Sequence, residues 1–190
     1  MKTAITGGIG SGKSYVSGIL REMGIEVYDC DSAAKRLMRT SVELQRSLSA
    51  LIGKDIFRDG ILQKEEISAF LLKDAHNRQR IEDIVHPAVA ADFLASGAEW
   101  LESAILFESG FNRRIDFDYT ICVAAPDETR AQRVAQRDGI DMEKAKQWIS
   151  CQQPQELIAE RCDFTIINDG KSDLENQIKN ILKTLTKKNY

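Results

Sequence analysis

The feature that most constrains this chain is a glycine-rich run near its start, GGIGSGKS at residues 7–14. The run follows a short apolar stretch, TAIT at 3–6, and precedes a helical pattern that begins at Lys13 and ends before Gly24. The spacing G-x-x-x-x-G-K-S between a strand and a helix is typical of a loop that binds phosphate through its backbone amides. We therefore predict a strand–loop–helix unit that binds a nucleoside triphosphate. An ordinary glycine-rich turn with an exposed lysine is the less favoured interpretation, because a strand and a helix flank the run.

The loop predicts distinct contacts for its lysine and its serine. Lys13 would neutralise the β- and γ-phosphates of ATP, and the hydroxyl of Ser14 would be the protein's ligand to Mg²⁺. The predicted ATP-binding residues of this segment are Gly8, Ile9, Gly10, Ser11, Gly12, Lys13, Ser14 and Tyr15.

The rest of the chain alternates short apolar runs with helical patterns, which predicts an α/β fold. The runs are continuous rather than alternating, as in parallel strands that are buried on both faces. Strands are predicted at 3–6, 25–31, 104–108, 119–125 and 164–169. Near the end, Ser172 and Glu175 predict a capping box for an amphipathic C-terminal helix.

One interval departs from this alternation, because residues 32–103 carry helical patterns alone. Such a length exceeds a simple crossover, so we predict a helical insertion that presents a second substrate. The predicted core is 1–31 and 104–190, with a small lid over about 130–155.

Composition narrows the classes of partner. The 190 residues carry a formal net charge of −3, so no general basic surface is expected to bind nucleic acid or an anionic membrane. No apolar run is long enough to span a bilayer, and the N-terminus lacks the apolar core of a secretory signal. The cysteines at 30, 122, 151 and 162 show no CxxC spacing, which indicates reduced thiols and a cytoplasmic protein. We expect a monomer or a weak homo-oligomer.

Two aspartates follow the second predicted strand, in the stretch YDCDS at 28–32. Open α/β sheets bind ligands at the carboxyl ends of their strands, so Asp29 and Asp31 are candidates for a general base and a magnesium partner. Asp31 equally suits the N-cap of the helix predicted to follow. The spacing does not decide between these roles, nor which aspartate would be the base.

Three arginines, Arg130, Arg133 and Arg137, are predicted to share one face of a helix. Guanidinium groups bind phosphate in a bidentate manner, although a solvated basic face is the common role of such a pattern. His86 and Pro87 are predicted to end a helical segment. Glu108 is predicted to close the third strand at the ligand-binding edge.

Six segments in order resemble the dephospho-coenzyme A kinase family over nearly the whole chain. They are TGGIGSGKS (6–14), VYDCDSAAKRL (27–37), IVHPAV (84–89), ILFESG (105–110), RVAQRDGI (133–140) and DFTIINDG (163–170). The resemblance implies a P-loop kinase fold with a five-stranded parallel sheet flanked by helices, a helical coenzyme-binding insertion and a small lid. It also implies transfer of the γ-phosphate of ATP to the 3′-hydroxyl of dephospho-CoA, the last step of coenzyme A synthesis, with Mg²⁺ as cofactor.

The resemblance further implies roles for individual residues. Asp31 corresponds to the catalytic aspartate, Arg137 to the lid arginine with Arg133 beside it, and His86 and Glu108 to the coenzyme-side pocket.

The sequence departs from the family pattern in places. Tyr15 stands where threonine is usual, Ala104 replaces a common proline, and residues 152–160 lack a basic residue that many members carry, although Arg161 is nearby. Two alternatives remain open: a kinase of another small acceptor such as a nucleoside monophosphate, and an ATP-binding regulatory module without turnover.

Overall fold

The computed structural model describes residues 1–58 and 61–187. They form two compact units, one made of residues 1–28, 98–106 and 116–187 and the other of 29–58, 61–97 and 107–115. The strands are β1 Thr3–Thr6, β2 Val27–Asp29, β3 Phe57–Arg58, β4 Ile61–Leu62, β5 Trp100–Glu102, β6 Tyr119–Ala124 and β7 Phe164–Ile167. The helices are α1 Lys13–Glu22, α2 Cys30–Thr40, α3 Val42–Ile52, α4 Lys64–Lys73, α5 Asn77–Ser96, α6 Phe111–Arg114, α7 Asp127–Asp138, α8 Met142–Ser150, α9 Gln155–Glu160 and α10 Leu174–Lys187.

The first unit is built on a five-stranded sheet in the order β2-β5-β1-β6-β7. Strand β1 pairs in parallel with β5 and with β6, and β6 pairs in parallel with β7. The predicted α/β fold and parallel sheet are confirmed. Because β1 lies in the middle, the loop that follows it leaves the sheet at its centre, where open α/β sheets place their ligands.

The predicted third strand at 104–108 is wrong, since the strand is Trp100–Glu102. Gly97 stops α5 with a left-handed φ of 76°, which frees the chain to become extended directly afterwards. Leu106 is fully buried although it lies in a turn. The apolar character of residues 104–108 therefore reflects burial within a turn and does not indicate a strand.

Helices α1 and α10 pack their apolar stripes against this sheet and build the core of the first unit. The buried residues are Ile5, Val16, Ile19, Leu20, Ile121, Val123, Ile166, Ile178, Ile181 and Leu185. The predicted capping box on Ser172 is wrong, because the carboxylate of Asp173 accepts from the Asn176 amide at 3.0 Å and caps α10.

The second unit contains α2 to α6 and the two-stranded antiparallel β3–β4 pair. Helix α5 continues through Pro87 to Ser96, so the predicted helix end at His86–Pro87 is wrong. Val85, Val89 and Phe93 are buried at spacings of four, and α5 packs against α2 and α3. This apolar face continues on both sides of Pro87. The burial of the face stabilises the helix by more than the loss of the backbone hydrogen bond that proline cannot donate.

The four cysteines are free thiols. Within residues 1–58 and 61–187, no helix combines the length and the apolar character needed to cross a membrane.

Candidate nucleotide-binding site

The glycine-rich loop lies between β1 and α1, as predicted, and its conformation requires glycine at two positions above all. Gly10 and Gly12 have φ values of 76° and 91°, in the left-handed region that side chains disfavour. A Cβ on Gly12 would also collide with the Asn168 amide, and one on Gly10 would lie 2.5 Å from the Arg130 carbonyl oxygen. Asn168 and Arg130 therefore pack closely against the loop backbone at these two glycines.

Arg133 and Asn168 hold the loop through its carbonyl groups. Arg133 Nη1 donates to the carbonyls of Gly10 and Ser11 at 3.4 Å each, and Asn168 Nδ2 donates to the Ser11 carbonyl at 2.9 Å. Arg133 Nη2 also donates to Asn168 Oδ1 at 3.1 Å, so the two side chains support each other. Asn168 follows β7 directly and is buried, and the sequence reasoning did not select it.

Lys13 folds back over the same loop. Its Nζ donates to the carbonyl oxygens of Gly7 at 2.9 Å and of Gly8 at 3.2 Å. The ammonium group is thereby kept at the concave side of the loop, where phosphate oxygens would replace the carbonyls as its partners.

A buried carboxylate lies beside Ser14. Glu102, the last residue of β5, is 8% exposed, and it accepts from Ser14 Oγ at 3.0 Å and from the buried Ser17 Oγ at 2.7 Å. The sequence reasoning missed Glu102 because it placed the third strand at 104–108 and took Glu108 as the residue at its carboxyl end. The acidic residue that ends the strand next to β1 is Glu102.

The donor set fits Mg²⁺. A serine hydroxyl and a carboxylate are hard oxygen ligands, and Mg²⁺ usually keeps several waters and binds substrate phosphates besides one or two protein groups. In the described part of the chain, no cluster of three or more His, Cys, Asp or Glu residues forms a complete metal cage. The site thus suits a magnesium ion that arrives with a nucleotide.

An open groove of about 1150 Å³ adjoins Ser14 and runs between α1 and the start of α10. It is lined by Gly12, Ser14, Tyr15, Gly18, Ile19, Glu22, Arg133, Asn168, Gly170, Ser172, Asp173, Leu174, Glu175, Asn176 and Lys179. Tyr15 is 64% exposed on its wall. The groove is at the upper end of the volumes usual for small-molecule sites, and it begins beside the glycine-rich loop.

The three arginines of α7 have different environments. Arg130 is only 2% exposed, Arg133 contacts the glycine-rich loop, and the side chain of Arg137 is 61% exposed. Arg137 donates to both oxygens of Asp138, at 2.9 and 2.8 Å, and this pairing raises the pKa of Arg137 and lowers that of Asp138. A fully solvated basic face is therefore wrong for Arg130 and Arg133, while the lid role of Arg137 stays a prediction.

Asp29 and Asp31, both in the second unit, have distinct roles at the start of α2. Asp29 Oδ1 accepts from the amides of Asp31 and Ser32, at 2.9 and 3.1 Å, and its Oδ2 accepts from Ser32 Oγ at 2.7 Å. Asp29 is thus the N-cap, and the capping role considered for Asp31 is wrong. Strand β2 ends at Asp29, so Asp31 lies in the first helical turn, exposed, and its carboxylate accepts no hydrogen bond from the described residues.

His86 and Glu108, also in the second unit, lie near its α6 segment. The His86 ring packs against Phe111 with ring centroids 5.6 Å apart. Burial lowers the pKa of His86; Glu82 opposes this shift and Arg114 adds to it. Glu108 is exposed in the turn before α6. Their assignment to an acceptor pocket stays a prediction.

Comparison with known proteins points in one direction. A family model described as dephospho-CoA kinase matches residues 1–173. The dephospho-CoA kinase of Porphyromonas gingivalis is 38% identical in an alignment 191 positions long, gaps included, that covers 97% of this chain and 94% of that protein. The dephospho-CoA kinase of Bacteroides fragilis strain YCH46 is 37% identical in an alignment of 195 positions that covers 99% of this chain and 94% of that protein.

Solved structures share the fold. A Thermus thermophilus structure superposes with a TM-score of 0.79 at 32% identity, and 97% of each chain is covered. The dephospho-CoA kinase from Campylobacter jejuni gives 0.65 at 22% identity over 100% of both chains. A shikimate kinase from Acinetobacter baumannii gives 0.58 at 16% identity over 98% of this chain and 93% of that one, a likeness of fold alone.

Proposed function

Because the chain belongs to the dephospho-CoA kinase family, we propose that it transfers the γ-phosphate of ATP to the ribose 3′-hydroxyl of dephospho-CoA, giving coenzyme A and ADP. The observation that carries the nucleotide half of this proposal is the Glu102 carboxylate, 3.0 Å from the hydroxyl of Ser14 on the same loop as Lys13. The family membership supplies the identity of the acceptor.

The residues of the loop bind the triphosphate. The loop from Gly8 to Gly12 surrounds the phosphates; the amides of Gly10 and Gly12, which donate no hydrogen bond among the described residues, are available to the phosphate oxygens, the backbone of Ile9 and Ser11 shapes the loop, and Lys13 offsets the negative charge. Ser14 and Glu102 would hold the Mg²⁺ ion, which, when bound, neutralises charge on the β- and γ-phosphates. Tyr15 and Arg133 line the nucleoside end of the same site.

Asp31 is the residue proposed to orient the 3′-hydroxyl and accept its proton. Asp29 is occupied by its cap hydrogen bonds, whereas the carboxylate of Asp31 is exposed and accepts none from the described residues. As the 3′-oxygen forms its bond to the γ-phosphorus, the bond to the β,γ-bridging oxygen breaks and ADP leaves. The proton passes to Asp31 and then to solvent.

The remaining groups act around this transfer. Arg137, on a segment proposed to close as a lid, exchanges Asp138 for phosphate oxygens and stabilises the charge that develops there. His86 and Glu108 bind the coenzyme side of the acceptor. We propose a cytoplasmic protein, which the free cysteines support, and a monomer or weak homo-oligomer.

The test is coupled ADP release with Mg²⁺ and ATP, with and without dephospho-CoA, on the wild type, Asp31→Asn and Asp29→Asn. We expect release that needs dephospho-CoA, falls by about 10³-fold in Asp31→Asn, and changes less than about fivefold in Asp29→Asn, because asparagine also caps helices well. Release in Asp31→Asn at the wild-type rate would move the base to another group. Release that ignores dephospho-CoA but responds to a nucleoside monophosphate would favour another small acceptor, and ATP binding without release would favour a regulatory module.

A further inference from the structure

We infer that Arg130 is a positioning residue for the reaction: together with Gln152 it clamps the peptide units of Ile9, and so fixes the direction of the loop amides that meet the triphosphate. The inference rests on the proposed nucleotide site and is independent of the acceptor.

Arg130 is an unusual residue to find buried, because arginine is rarely fully buried unless it is paired. Only 2% of its side chain is exposed, and the one carboxylate that pairs with it among the described residues, Asp127 at 3.0 Å, has a side chain that is itself 77% exposed. Such a partner is largely solvated and compensates a buried guanidinium poorly. The burial therefore calls for further partners, and the loop provides them.

Both hydrogen-bonding groups of Ile9 are bound by this pair of side chains. Arg130 Nε donates to the Ile9 carbonyl at 2.9 Å, and the Ile9 amide donates to Gln152 Oε1 at 2.7 Å. Arg130 Nη2 donates to the same Gln152 oxygen at 3.2 Å, which closes the arrangement into a ring.

The ring determines the direction of the next amide. In a trans peptide the C=O and N–H groups point in opposite directions, so a carbonyl of Ile9 held outward by Arg130 directs the N–H of Gly10 inward. That N–H donates no hydrogen bond within the described part of the chain, and it is one of the groups available to phosphate oxygens.

Close packing holds the loop against Arg130 as well. A Cβ on Gly8 would collide with Arg130 Nη2, and a Cβ on Gly10 would lie 2.5 Å from the Arg130 carbonyl oxygen. These two glycines flank Ile9 in the sequence, and both pack against Arg130 of α7. The hydrogen bonds to Ile9 therefore act at the middle of a loop segment that contacts α7 before and after this residue.

The guanidinium charge also reaches the surroundings of the loop. The pKa of Cys122 is lowered first by the hydrogen bond with Cys162 and then by the positive charges of Lys13 and Arg130, against the effect of burial. Arg130 thus brings a positive charge as well as fixed hydrogen bonds to the region of the loop, and the experiment has to separate the two. Residues 152–160 lack the basic residue that many members of the family carry. Arg130 places its guanidinium group beside Gln152, the first residue of this segment.

The experiment compares Arg130→Gln, Arg130→Lys and Gln152→Glu with the matched control Arg161→Gln, which removes an exposed arginine at the end of α9. Lysine keeps the charge but cannot donate to Ile9 and Gln152 in the fixed geometry of a guanidinium fork, whereas Gln152→Glu keeps the acceptor oxygens and neutralises the charge. Each variant is assayed for kcat, for the KM of ATP and of dephospho-CoA, for direct binding of a fluorescent ATP analogue without acceptor, and for Tm.

We expect both Arg130 variants to raise the KM of ATP at least about tenfold, with kcat and the KM of dephospho-CoA changed less than about threefold. Arg161→Gln should stay within about threefold of the wild type in all three constants, and Gln152→Glu, which keeps an acceptor for the Ile9 amide, should raise the KM of ATP clearly less than Arg130→Gln does. A wild-type KM for ATP in Arg130→Lys, or a loss in Gln152→Glu as large as that in Arg130→Gln, would assign the effect to charge and overturn the clamp. A lowered Tm with unchanged ATP binding would reduce Arg130 to a structural residue and overturn it equally. The binding assay needs no acceptor, so a wrong acceptor assignment would leave this test intact.

Discussion

Replacing Glu102 by glutamine is the sharpest test of the magnesium site, because the substitution removes a charge and keeps the shape. The carboxylate is 8% exposed and accepts from Ser14 and Ser17 at 3.0 and 2.7 Å. Glutamine retains an acceptor oxygen for one of the two serine hydroxyls, and the other hydroxyl can rotate to accept from the new amide NH2 group. We therefore expect the unfolding free energy to change by less than about 1 kcal/mol.

The effect on the cation can be worked from the same geometry. The ATP phosphates offset part of the charge of Mg²⁺, so we count one net charge on the cation; two unit charges about 4 Å apart interact by about 4 kcal/mol at an effective dielectric constant of about 20. Ser14 is exposed, so solvent reaches one side of the site and screens the interaction. We therefore take about half of this interaction energy, about 2 kcal/mol, as the loss caused by the substitution. This corresponds to an increase of about thirtyfold in the Mg²⁺ concentration needed for half-maximal activity.

The assay is ADP release titrated with Mg²⁺ at a fixed ATP concentration, together with chemical denaturation of the same samples. Glu102→Ala is the companion variant, because it leaves the buried Ser17 hydroxyl without its acceptor and opens a cavity, which costs about 2–4 kcal/mol of stability. An unchanged Mg²⁺ requirement in Glu102→Gln would refute the reasoning, as would equal destabilisation by both variants.

Two further predictions concern the loop and the second unit. Gly12→Ala should lower the unfolding free energy by about 2 kcal/mol or more, because it combines a positive φ with a collision at Asn168. Gly139→Ala is the control: Gly139 has a φ of 64° and open space around it, so this variant should lose only about 1 kcal/mol. Equal losses of the two variants in urea denaturation would contradict the role of Asn168. His86 has a pKa below its ordinary value of 6.5 because of burial, so the folded protein binds this proton less tightly than the unfolded chain, and stability should fall as the pH drops below about 6.5. His86→Gln should flatten that part of the profile, and an identical acid-side decline in both proteins would show that other groups cause it.

The loop and the sheet could be predicted from sequence because their signals are local. A glycine-rich run between an apolar strand and an amphipathic helix leaves few alternatives, and β1 and α1 begin at the predicted residues. The parallel arrangement follows from continuous apolar runs, which β6 and β7 confirm.

The parts that were not predicted depend on where elements end. Glu102 was missed because Gly97 stops α5 and lets the strand start at Trp100, before the longer apolar run that suggested 104–108. Asp29 and Asp31 could not be told apart because the helix begins directly at Cys30, which turns the first carboxylate into a cap. Both boundaries carry a local signal, since glycine stops helices and aspartate caps them, but the sequence pattern does not fix the residue at which the next element begins.

Arg130 shows a different limit. Spacings of three and four place the three arginines of α7 near one another, and the pattern does not reveal which of them meets the loop. The answer depends on residues more than a hundred positions away, since its partner carbonyl belongs to Ile9. Such a contact is tertiary, and a single helical pattern carries no information about it.

The central position of β1 in the sheet has a consequence for the rate at which its amide protons exchange with solvent. All four residues of the strand are buried; Thr3 to Ile5 pair with β5 on one side, and Thr3 to Thr6 pair with β6 on the other. Its amide protons are therefore expected to exchange with solvent only through global unfolding, whether or not a ligand is bound. The nucleotide loop is thus attached to a part of the chain that we expect to exchange slowly, and a ligand that binds only the folded state should slow exchange in β1 as well, by the amount that it raises the free energy of global unfolding.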